Sequence, residues 1–317
     1  MPTTGLPTRR LGDSEIEVSV VGLGCNNFGK RLDLDGTAAV LDAALGAGVT
    51  FFDTADVYGG GDSERLMGEA LERRRDEYVL ATKFGWERGP GAPDVPRGSR
   101  DYIRWAIEGS LKRLRVDKID LYQYHRPDGI TPIEETLAAL DELVREGLVG
   151  AVGCSNFSAA QLEEADRIAR ERGQARFVTL QNEYSLLERG IEAEVAPACE
   201  RLAVSILPYF PLASGLLTGK YRRNEPGPSG TRLSSRDQAG SDEQFDVVEA
   251  LEAFAQAQGA SILDVAISGL AAQPAVASVI AGATKPEQIA ANVAALEWHP
   301  SEAALAELDR IAPTPRA

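Results

Sequence analysis

Cysteine is scarce in this chain, and its scarcity excludes two structural classes. Cys25, Cys154 and Cys199 are the only cysteines in 317 residues, and they do not have the spacing of metal-ligand pairs. A sparse, odd number of cysteines does not build a disulfide framework and is typical of a reducing compartment. The first residues also contain no apolar signal-peptide core. We therefore predict a cytoplasmic protein.

Positive charge and histidine are also in short supply. The chain has 33 basic and 48 acidic residues, a net charge of −15, and no block of basic residues. This balance argues against nucleic acid or an anionic membrane as the main partner. With only two histidines in the chain, a hydrolytic metal site is disfavoured, and we predict no bound metal.

Long uninterrupted apolar runs are absent as well. The longest lies at about residues 203–217, but Pro208 and Pro211 interrupt it and it is too short to span a bilayer. Hydrophobic residues nevertheless make up 44% of the chain, which is enough for a substantial core. We therefore predict a globular protein that does not enter a membrane.

The chain does contain a regular alternation of short apolar β-type runs and helical patterns. Regular alternation indicates a parallel sheet, and eight strand–helix units are the number that closes a (β/α)8, or TIM, barrel. We predict one α/β domain that covers residues 1–317. Its predicted strands are residues 18–23, 49–53, 78–83, 119–125, 149–154, 177–181, 204–209 and 276–280.

Two further segments complete the predicted barrel. Residues 8–18 are expected to form a β-hairpin that turns at Gly12 and Asp13 and plugs the N-terminal mouth. Residues 213–240, after strand 7, form a loop that is too long for a plain connection. The alternative fold is a doubly wound open sheet. It would usually carry G-x-G-x-x-G in its first strand-to-helix turn, and residues 22–29 lack that spacing.

Helix starts are predicted from hydroxyl side chains in front of helical patterns. Ser63, Thr131 and Ser158 each precede such a pattern and are expected to cap its first backbone amides. Pro132 would then occupy the first helical position after Thr131.

Three neighbouring predicted strands end in an ionisable residue. Asp53 ends the second strand, Lys83 the third and His125 the fourth, while Tyr58 follows Asp53 in a loop rich in glycine. In a barrel, the C-terminal ends of neighbouring strands face one pocket. We therefore expect Asp53, Tyr58, Lys83 and His125 to lie together, and we predict that they are the catalytic residues.

These four side chains suit proton transfer to a carbonyl oxygen. A free tyrosine has a pKa of about 10, and a lysine cation beside Tyr58 would favour the phenolate and lower that pKa. Asp53 would keep Lys83 charged, and His125 would orient the carbonyl group. Each residue alone has a structural alternative: a strand cap, a cover for the barrel end or a structural histidine. Packing does not readily explain all four residues together.

Longer motifs surround these residues and continue beyond them. F-D-T-A-D-V-Y-G occupies residues 52–59, A-T-K-F-G residues 81–85 and D-L-Y-Q-Y-H-R-P-D residues 120–128. Four more follow: G-C-S-N-F at 153–157, Q-N-E-Y at 181–184, P-L-A-S-G-L-L-T-G-K-Y at 211–221 and G-A-T-K-P-E-Q at 282–288. In this order and combination, over roughly residues 8–310, the chain resembles the aldo-keto reductase family.

The resemblance implies a (β/α)8 oxidoreductase that uses NADP(H), usually NADPH, and no metal. Such an enzyme reduces aldehydes or ketones to alcohols by transfer of a hydride from the nicotinamide. Tyr58 would donate the proton, Lys83 and Asp53 would tune Tyr58, and His125 would orient the carbonyl group.

The resemblance also implies the residues that bind the cofactor. Tyr209 would stack on the nicotinamide ring, and residues 211–217 would cover the pyrophosphate. The long loop at 213–240 would form a flap that covers the cofactor. Phe210 departs from the family pattern, in which a small polar residue is common, and Ala291 stands where some relatives carry an acid that contacts adenine. The predicted set is Gly24, Cys25, Asn26 and Asp53, then Ser155, Asn156 and Gln181 at the carboxamide, then Tyr209, Phe210, Pro211, Leu212, Ala213, Gly215 and Leu217, then Lys220 and Arg232, and then Gly282, Thr284, Gln288 and Asn292 at the adenosine end, with Lys285.

Charge supports a phosphate site independently of the resemblance. On a protein of net charge −15, an anionic phosphate needs local cations or a helix N-terminus. Lys220, Arg222, Arg223 and Arg232 bracket the long loop, and Lys285 precedes the last helix of the barrel. We expect Lys220 and Arg232 to contact a 2′-phosphate, with Lys285 as a further candidate. A solvated surface is the alternative for the loop cations.

The expected partner is a small-molecule carbonyl substrate. Phe28 and Trp86 are predicted to wall its pocket beside Tyr58 and His125, with plain packing as the alternative. The competing function is a cofactor-binding regulatory subunit of the potassium-channel β-subunit type, a branch of the same family. The sequence has no N-terminal extension for docking a partner, which gives that alternative little support. The sequence favours neither a monomer nor a homo-oligomer.

Overall fold

Strands and helices alternate along the chain, as predicted. The computed structural model describes residues 5–234 and 238–314, so residues 1–4, 235–237 and 315–317 of the predicted domain and its long loop lie outside the described residues. The described strands are β1 (Thr8–Arg10), β2 (Glu17–Ser19), β3 (Val21–Gly24), β4 (Phe51–Asp53), β5 (Val79–Phe84), β6 (Ile119–Tyr124), β7 (Val149–Ser155), β8 (Phe177–Gln181), β9 (Ser205–Ile206) and β10 (Val279–Gly282).

Strands β3 to β10 form one parallel sheet that returns on itself. Hydrogen bonds join the strands in the order β10-β3-β4-β5-β6-β7-β8-β9. At the remaining edge, the Ile206 amide donates to the Ala275 carbonyl at 2.7 Å, and the Ala277 amide donates to the Ile206 carbonyl at 3.1 Å. Because residues 275–277 lead into β10, these bonds link the last strand to the first. The predicted TIM-barrel fold class is confirmed.

Helices connect the strands and surround them. They are α1 (Leu34–Gly46), α2 (Asp62–Ala70), α3 (Arg100–Leu114), α4 (Ile133–Arg145), α5 (Ala159–Arg172), α6 (Val195–Leu202), α7 (Asp242–Ala257), α8 (Ile262–Ala271), α9 (Pro286–Ala294) and α10 (Glu302–Ile311). Short 3-10 helices occur at Tyr58–Gly61, Arg75–Glu77, Gly190–Glu192, Ala213–Thr218 and Ala295–Glu297. Among the described helices, none combines the length and the apolar character needed to cross a membrane.

The antiparallel pair of β1 and β2 forms the predicted N-terminal hairpin. Leu11 and Val18 of the hairpin are fully buried and pack with Phe51 and Leu121 inside the barrel. Gly12 approaches the barrel so closely that a Cβ atom there would lie 2.6 Å from the Val178 carbonyl oxygen. The hairpin therefore closes one end of the barrel. The predicted strand 18–23 is divided here, because its first residues pair within the hairpin and its later ones within the barrel.

The last two barrel strands differ from their predicted bounds. The sequence predicts strand 7 at 204–209, but β9 covers Ser205–Ile206. Beyond it, the amides of Leu207 and Tyr209 still donate to the carbonyls of Leu180 and Asn182, while Pro208 between them has no amide to donate on the opposite side. Strand 8 was expected at 276–280, but β10 covers Val279–Gly282. Val276 bridges to Ile206, whereas Val279 pairs with Val21. The apolar run at 276–280 therefore pairs first with β9, through Val276, and then with β3, through Val279.

The predicted helix caps have mixed outcomes. Ser158 caps α5 as expected, and its hydroxyl accepts a hydrogen bond from the Gln161 amide. Ser63 does not cap α2: Gly61 is the N-cap, and the Ser63 hydroxyl donates to the Cys25 carbonyl at 2.8 Å. Likewise Pro132 is the N-cap of α4, because the Thr131 hydroxyl donates to the Asp128 carboxylate instead.

The long loop after β9 is anchored to the helices beyond it. Its side chains Leu216, Leu217, Tyr221 and Leu233 are buried in a second hydrophobic cluster, which includes residues of α7 and α8. Hydrophobic contacts therefore hold the described part of the loop against α7 and α8.

Candidate active site

Asp53, Lys83 and His125 lie at one end of the barrel. Asp53 is the last residue of β4, Lys83 stands one residue before the end of β5, and His125 directly follows β6. The strands are parallel, with Gly24 opposite Asp53 and Lys83 opposite Gln123. This register brings the three ionisable groups to the C-terminal edge of the sheet.

Lys83 is at the centre of this group. Its side chain is fully buried, and Nζ donates hydrogen bonds to Asp53 Oδ2 at 2.6 Å, the Thr54 carbonyl at 2.8 Å and the Tyr58 hydroxyl at 3.4 Å. Burial alone would lower the pKa of Lys83, but the charge of Asp53 and the Tyr58 hydroxyl raise it. The ammonium group therefore stays charged, with three oxygen atoms around it.

Tyr58 begins a 3-10 turn that glycine makes possible. Gly59 and Gly60 follow it with φ of 60° and 68°, a region that glycine enters without steric penalty. Burial raises the pKa of Tyr58, Lys83 lowers it, and Asp53 raises it again, so that the net direction is upward. The prediction that the pKa of Tyr58 is lowered is therefore wrong, because burial outweighs the effect of Lys83. Tyr58 keeps its proton near neutral pH, which is the form that a proton donor requires.

Two buried amides hold the other oxygen of Asp53. Gln181 Nε2 donates to Asp53 Oδ1 at 3.0 Å, and Gln123 Nε2 donates to the same oxygen at 3.2 Å. The Thr179 hydroxyl in turn donates to Gln123 Oε1 at 3.3 Å. Gln123 was not predicted as a site residue. The available signal was its place two residues before His125, on the same face of a buried strand.

His125 presents a neutral imidazole. Burial and the Lys83 cation hold its pKa well below 6.5. The backbone is fixed on both sides, because the His125 amide donates to the Phe84 carbonyl at 2.8 Å and Asn156 Nδ2 donates to the His125 carbonyl at 3.0 Å. Nδ1 is buried and has no hydrogen-bond partner in the described part of the chain. A neutral imidazole carries one N–H group, so the ring can donate a hydrogen bond to a bound carbonyl group.

The two aromatic residues predicted at the substrate pocket differ in position. Trp86 is 39% exposed, and its ring centre lies 4.9 Å from that of His125. Tyr58 meets the His125 ring edge to face at 5.9 Å. Phe28 is fully buried in the main hydrophobic core, which favours the packing alternative for that residue. Trp86 therefore borders the imidazole at the open side of the site.

Ser155 and Asn156 stand at the end of β7. The Ser155 hydroxyl donates to the Gln181 carbonyl at 2.6 Å, and the Tyr209 hydroxyl donates to Asn156 Oδ1 at 2.9 Å. Asn156 has a positive φ of 60° and its amide bonds to Asn182 Oδ1 at 2.7 Å. Uncommon backbone conformations of this kind are concentrated at ligand sites. The three predicted residues Ser155, Asn156 and Gln181 therefore adjoin one another, with Tyr209 beside them.

The segment after Tyr209 has an unusual backbone. Phe210, Ala213 and Ser214 have positive φ values of 51°, 46° and 58°, and Gly215 has φ of 101°. Lys220 folds back over this turn, because a Cβ atom on Gly215 would lie 3.0 Å from Lys220 Nζ. The ammonium group thus lies beside the segment that was predicted to cover a pyrophosphate. The other predicted residues of this segment are Pro211, Leu212 and Leu217, of which Pro211 and Leu217 are buried.

Two of the loop cations are neutralised by α7. Arg222 forms an ion pair with one carboxylate, at 3.3 Å, and Arg223 forms pairs with three, the shortest at 2.6 Å. These two arginines attach the loop to α7, and this structural role accounts for their positive charge without a bound phosphate. The carboxylates are Glu252 for Arg222 and Asp242, Asp246 and Glu249 for Arg223.

Lys220 and Arg232 have no carboxylate partner within residues 5–234 and 238–314. The Arg232 guanidinium lies 5.0 Å from the centre of the Phe210 ring. Burial and the nearby charge of Arg31 lower the pKa of Arg232. Arg31 also donates a hydrogen bond to the Gly230 carbonyl in the same loop. Arg31 was not predicted as a site residue, since its proximity to the loop depends on the closed barrel.

Gly24, Cys25 and Asn26 meet Gly282 at the end of β3. Gly24 pairs with Gly282 in the sheet, and a Cβ atom on Gly282 would lie 3.5 Å from Asn26 Oδ1. The Cys25 amide donates to the Asp53 carbonyl at 2.9 Å. Burial raises the pKa of the Cys25 thiol well above 9, so it remains a thiol. This segment links Asp53 to the region around β10.

Thr284, Lys285 and Gln288 lie at the start of α9, whereas Asn292 lies near its C-terminal end. Gln288 Oε1 accepts hydrogen bonds from the Thr284 amide at 2.7 Å and the Lys285 amide at 3.2 Å. Gln288 therefore engages amides in front of the helix that would otherwise lack a partner. Lys285 is exposed, whereas Asn292 is buried.

A second polar cluster lies beside β5. Glu64 is fully buried and accepts hydrogen bonds from the Thr82 hydroxyl at 2.6 Å and Arg113 Nε at 2.7 Å. Asp56 is nearby: burial and Glu64 raise its pKa to about 8, against the effect of Arg113. The Asp56 amide also donates to the Lys83 carbonyl at 3.0 Å. The cluster therefore adjoins the strand end that carries Lys83.

The geometry supports acid chemistry at a carbonyl group. It combines a protonated tyrosine, a charged lysine within hydrogen-bonding distance and a neutral imidazole at an open, aromatic border. A lysine cation can stabilise the phenolate that forms as Tyr58 releases its proton. Within the described residues, no group of three or more His, Cys, Asp or Glu side chains is placed to hold a metal ion.

Comparison with known proteins extends over nearly the whole chain. A family model described as the aldo/keto reductase family matches residues 20–313. A protein of Oryza sativa subsp. japonica, named a probable voltage-gated potassium channel subunit beta, is 37% identical over an alignment of 302 residues that covers 92% of each chain. Probable aldo-keto reductase 1 of Glycine max is 36% identical over 312 residues, 96% of this chain and 88% of that protein.

Proposed function

The chain belongs to the aldo/keto reductase family, and we propose that it reduces aldehydes or ketones to alcohols with NADPH. The observation that carries this proposal is the contact of the buried Lys83 ammonium with both Asp53 Oδ2, at 2.6 Å, and the Tyr58 hydroxyl, at 3.4 Å. Such a contact links a proton-bearing phenol to a fixed positive charge. It is suited to protonating a carbonyl oxygen as hydride reaches the carbon.

Each of the four residues has a role in this mechanism. When bound, NADPH supplies the hydride. Tyr58 gives its proton to the substrate oxygen, and Lys83 stabilises the phenolate that remains. Asp53 keeps the Lys83 ammonium charged and in place. The neutral ring of His125 donates a hydrogen bond that orients the carbonyl oxygen. A proton from solvent restores Tyr58 after the alcohol leaves.

The residues around this centre fit a nicotinamide dinucleotide phosphate. Asn156 and Tyr209 form a polar and aromatic pair next to the catalytic group, joined by a hydrogen bond of 2.9 Å. Lys220 and Arg232 lack carboxylate partners among the described residues, so their charge is available to an anion. We assign Lys220 and Arg232 to the 2′-phosphate, with Lys285 as a further candidate. Ser155, Asn156 and Gln181 would contact the carboxamide.

The remaining predicted cofactor residues lie along the same end of the barrel. Gly24, Cys25 and Asn26 adjoin Asp53 and Gly282. Thr284 and Gln288 lie at the start of α9, and Asn292 lies further along the same helix. We propose that the nicotinamide end lies near Tyr209 and the adenosine end near α9. The turn at Ala213–Thr218, with Phe210 before it, would then cover the pyrophosphate.

A regulatory subunit is the second candidate function. The observation that favours it is the 37% identity to the protein of Oryza sativa subsp. japonica that is named a probable voltage-gated potassium channel subunit beta. In that case the chain would bind the cofactor with little turnover. The complete set of Asp53, Tyr58, Lys83 and His125 in contact distance supports the reductase instead.

We also propose that the chain acts in the cytoplasm on a small-molecule carbonyl substrate. Its three cysteines are free and buried, which suits a reducing compartment. The net charge of −15 does not favour nucleic acid or an anionic membrane as a partner.

Turnover separates the two functions. The purified chain is mixed with NADPH and a panel of reactive aldehydes that includes 4-nitrobenzaldehyde, and nicotinamide absorbance is followed with time. Loss of NADPH together with formation of the alcohol is expected. NADPH binding without turnover across the whole panel would contradict the reductase and favour the regulatory subunit.

A further inference from the structure

Arg126 stands at the border of the catalytic group without having a role in it. It directly follows His125, and its side chain is exposed. Its guanidinium carbon lies 5.4 Å from the centre of the Trp86 ring, and the Trp86 ring centre lies 4.9 Å from that of His125. The Trp86 ring thus lies close to both the Arg126 guanidinium and the His125 imidazole.

The Trp86 side chain is itself unusual in its exposure. Three large hydrophobic side chains are exposed among the described residues, namely Trp86, Ile130 and Phe210. Two of them, Trp86 and Phe210, each have an arginine over the ring, Arg126 and Arg232. Contact with an aromatic face restrains a guanidinium while leaving the N–H groups at its edge able to bind an anion.

Among the residues that the structure describes, none is an acidic partner of Arg126. Within the described residues, Arg126 takes part in no ion pair, although Asp128 is only two positions away. Asp128 is engaged elsewhere: Oδ2 accepts hydrogen bonds from the Gly98 amide and the Thr131 hydroxyl, both at 2.8 Å. Its other oxygen accepts from the amides of Ile130 and Thr131, both at 2.9 Å. The Arg126 charge is therefore left for a ligand.

The charge of Arg126 acts toward the catalytic end of the barrel. Burial and Glu183 raise the pKa of Tyr209, and Arg126 lowers it, so the arginine lies close enough to influence that phenol. Glu183 is the opposing charge at this border, and it is exposed. On a protein of net charge −15, an unpaired arginine at a substrate entrance raises the local concentration of anions.

We infer that Arg126, held on Trp86 beside His125, binds the carboxylate of an anionic carbonyl substrate. The enzyme then prefers carboxylate-bearing aldehydes to neutral aldehydes of the same size. A planar guanidinium forms two parallel hydrogen bonds with a carboxylate, which also orients the substrate. This inference rests on the proposed reductase function and specifies its substrate class.

The test compares two aldehydes that differ in one charge. The full chain with NADPH is given 4-carboxybenzaldehyde or its neutral methyl ester, and kcat/KM is measured for each. The ratio of the two values is compared among wild type, Arg126→Gln and Arg126→Lys. Arg167→Gln is the matched control, because Arg167 is an exposed arginine of α5 whose partner is Glu171.

In Arg126→Gln, the ratio of charged to neutral kcat/KM should fall about fivefold, the size of a well-aligned but exposed ion pair. Arg126→Lys should keep part of the preference, and Arg167→Gln should keep the wild-type ratio. The wild-type ratio should also fall as salt is added. An unchanged ratio in Arg126→Gln, with active wild type, would overturn the carboxylate site alone. If wild type reduces neither aldehyde nor any other carbonyl compound, the reductase function itself is overturned.

Discussion

Lys83 Nζ lies 2.6 Å from Asp53 Oδ2, and both side chains are buried at the end of the barrel. Burial of two charges is tolerated here because each has further partners. Gln123 and Gln181 bond to Asp53, while the Thr54 carbonyl bonds to Lys83. An ion pair of this kind makes each member depend on the other.

Asp53→Asn should destabilise the fold and reduce catalysis together. The substitution leaves the Lys83 ammonium buried without its counter-charge, which is expected to lower the free energy of unfolding by about 3 kcal/mol. Urea unfolding measures that loss. Asp62→Asn is the control, because Asp62 forms an exposed pair with Arg65, and its loss should be below about 1 kcal/mol. Equal losses in the two variants would show that the buried ion pair contributes no more to the free energy of unfolding than the exposed one.

Tyr58→Phe should remove carbonyl reduction while leaving NADPH binding near normal. The variant keeps the ring against His125 but has no proton to donate, so kcat should fall by about 100-fold to 10,000-fold. Turnover of 4-nitrobenzaldehyde measures kcat, and nicotinamide fluorescence measures binding. Tyr78→Phe changes a tyrosine that stacks on Phe52 instead and should keep wild-type kcat. An active Tyr58→Phe enzyme would exclude Tyr58 as the acid.

The fold was predictable because its signal is local and repeated. Each apolar run and each helical pattern can be recognised alone, and their alternation specifies the parallel barrel. The exceptions were β9 and β10, the two strands that close the barrel, whose bounds differ from the prediction. The run around Val276–Ile280 divides between two neighbours, which depends on how the barrel closes. Ser63 failed as a cap because its hydroxyl bonds to a distant carbonyl, that of Cys25.

The positions of the catalytic residues were predictable for the same reason, but their environment was not. Parallel strands bring their C-terminal ends together, so Asp53, Lys83 and His125 could be grouped from strand order alone. The pKa of Tyr58 depends on how deeply the phenol is buried, and burial outweighs Lys83. The pairing of loop arginines with α7, and of Arg126 with Trp86, exists only after the chain has folded.

Arg232→Ala should weaken NADPH binding more than NADH binding. The two cofactors differ by one phosphate, and Arg232 is a loop cation with no carboxylate partner in the described residues. The ratio of the two dissociation constants should change by about fivefold, as for an exposed ion pair. Fluorescence titration with each cofactor measures it. Arg223→Ala is the control, because α7 carboxylates already neutralise that arginine. Equal weakening of both cofactors by Arg232→Ala would exclude its 2′-phosphate role.

Asp56 should make stability depend on pH in the direction opposite to most carboxylates. Burial and Glu64 raise its pKa to about 8 in the folded chain, whereas a free aspartate has a pKa of about 3.9. Between these values the unfolded chain has released the proton and the folded chain keeps it. Folding is therefore favoured most at low pH, and the contribution of Asp56 is lost as pH rises through about 8.

Asp56→Asn should remove this dependence, because an amide cannot ionise. At pH 5 the difference in unfolding free energy between the variant and wild type should be small, and it should shift in favour of the variant by pH 8. Urea unfolding of both proteins at several pH values measures the difference, with Asp62→Asn as an exposed control. Because other groups titrate equally in both proteins, the difference isolates Asp56. Curves for wild type and Asp56→Asn that stay parallel from pH 5 to pH 8 would mean that Asp56 is ionised in the fold, with Arg113 compensating for Glu64 and burial.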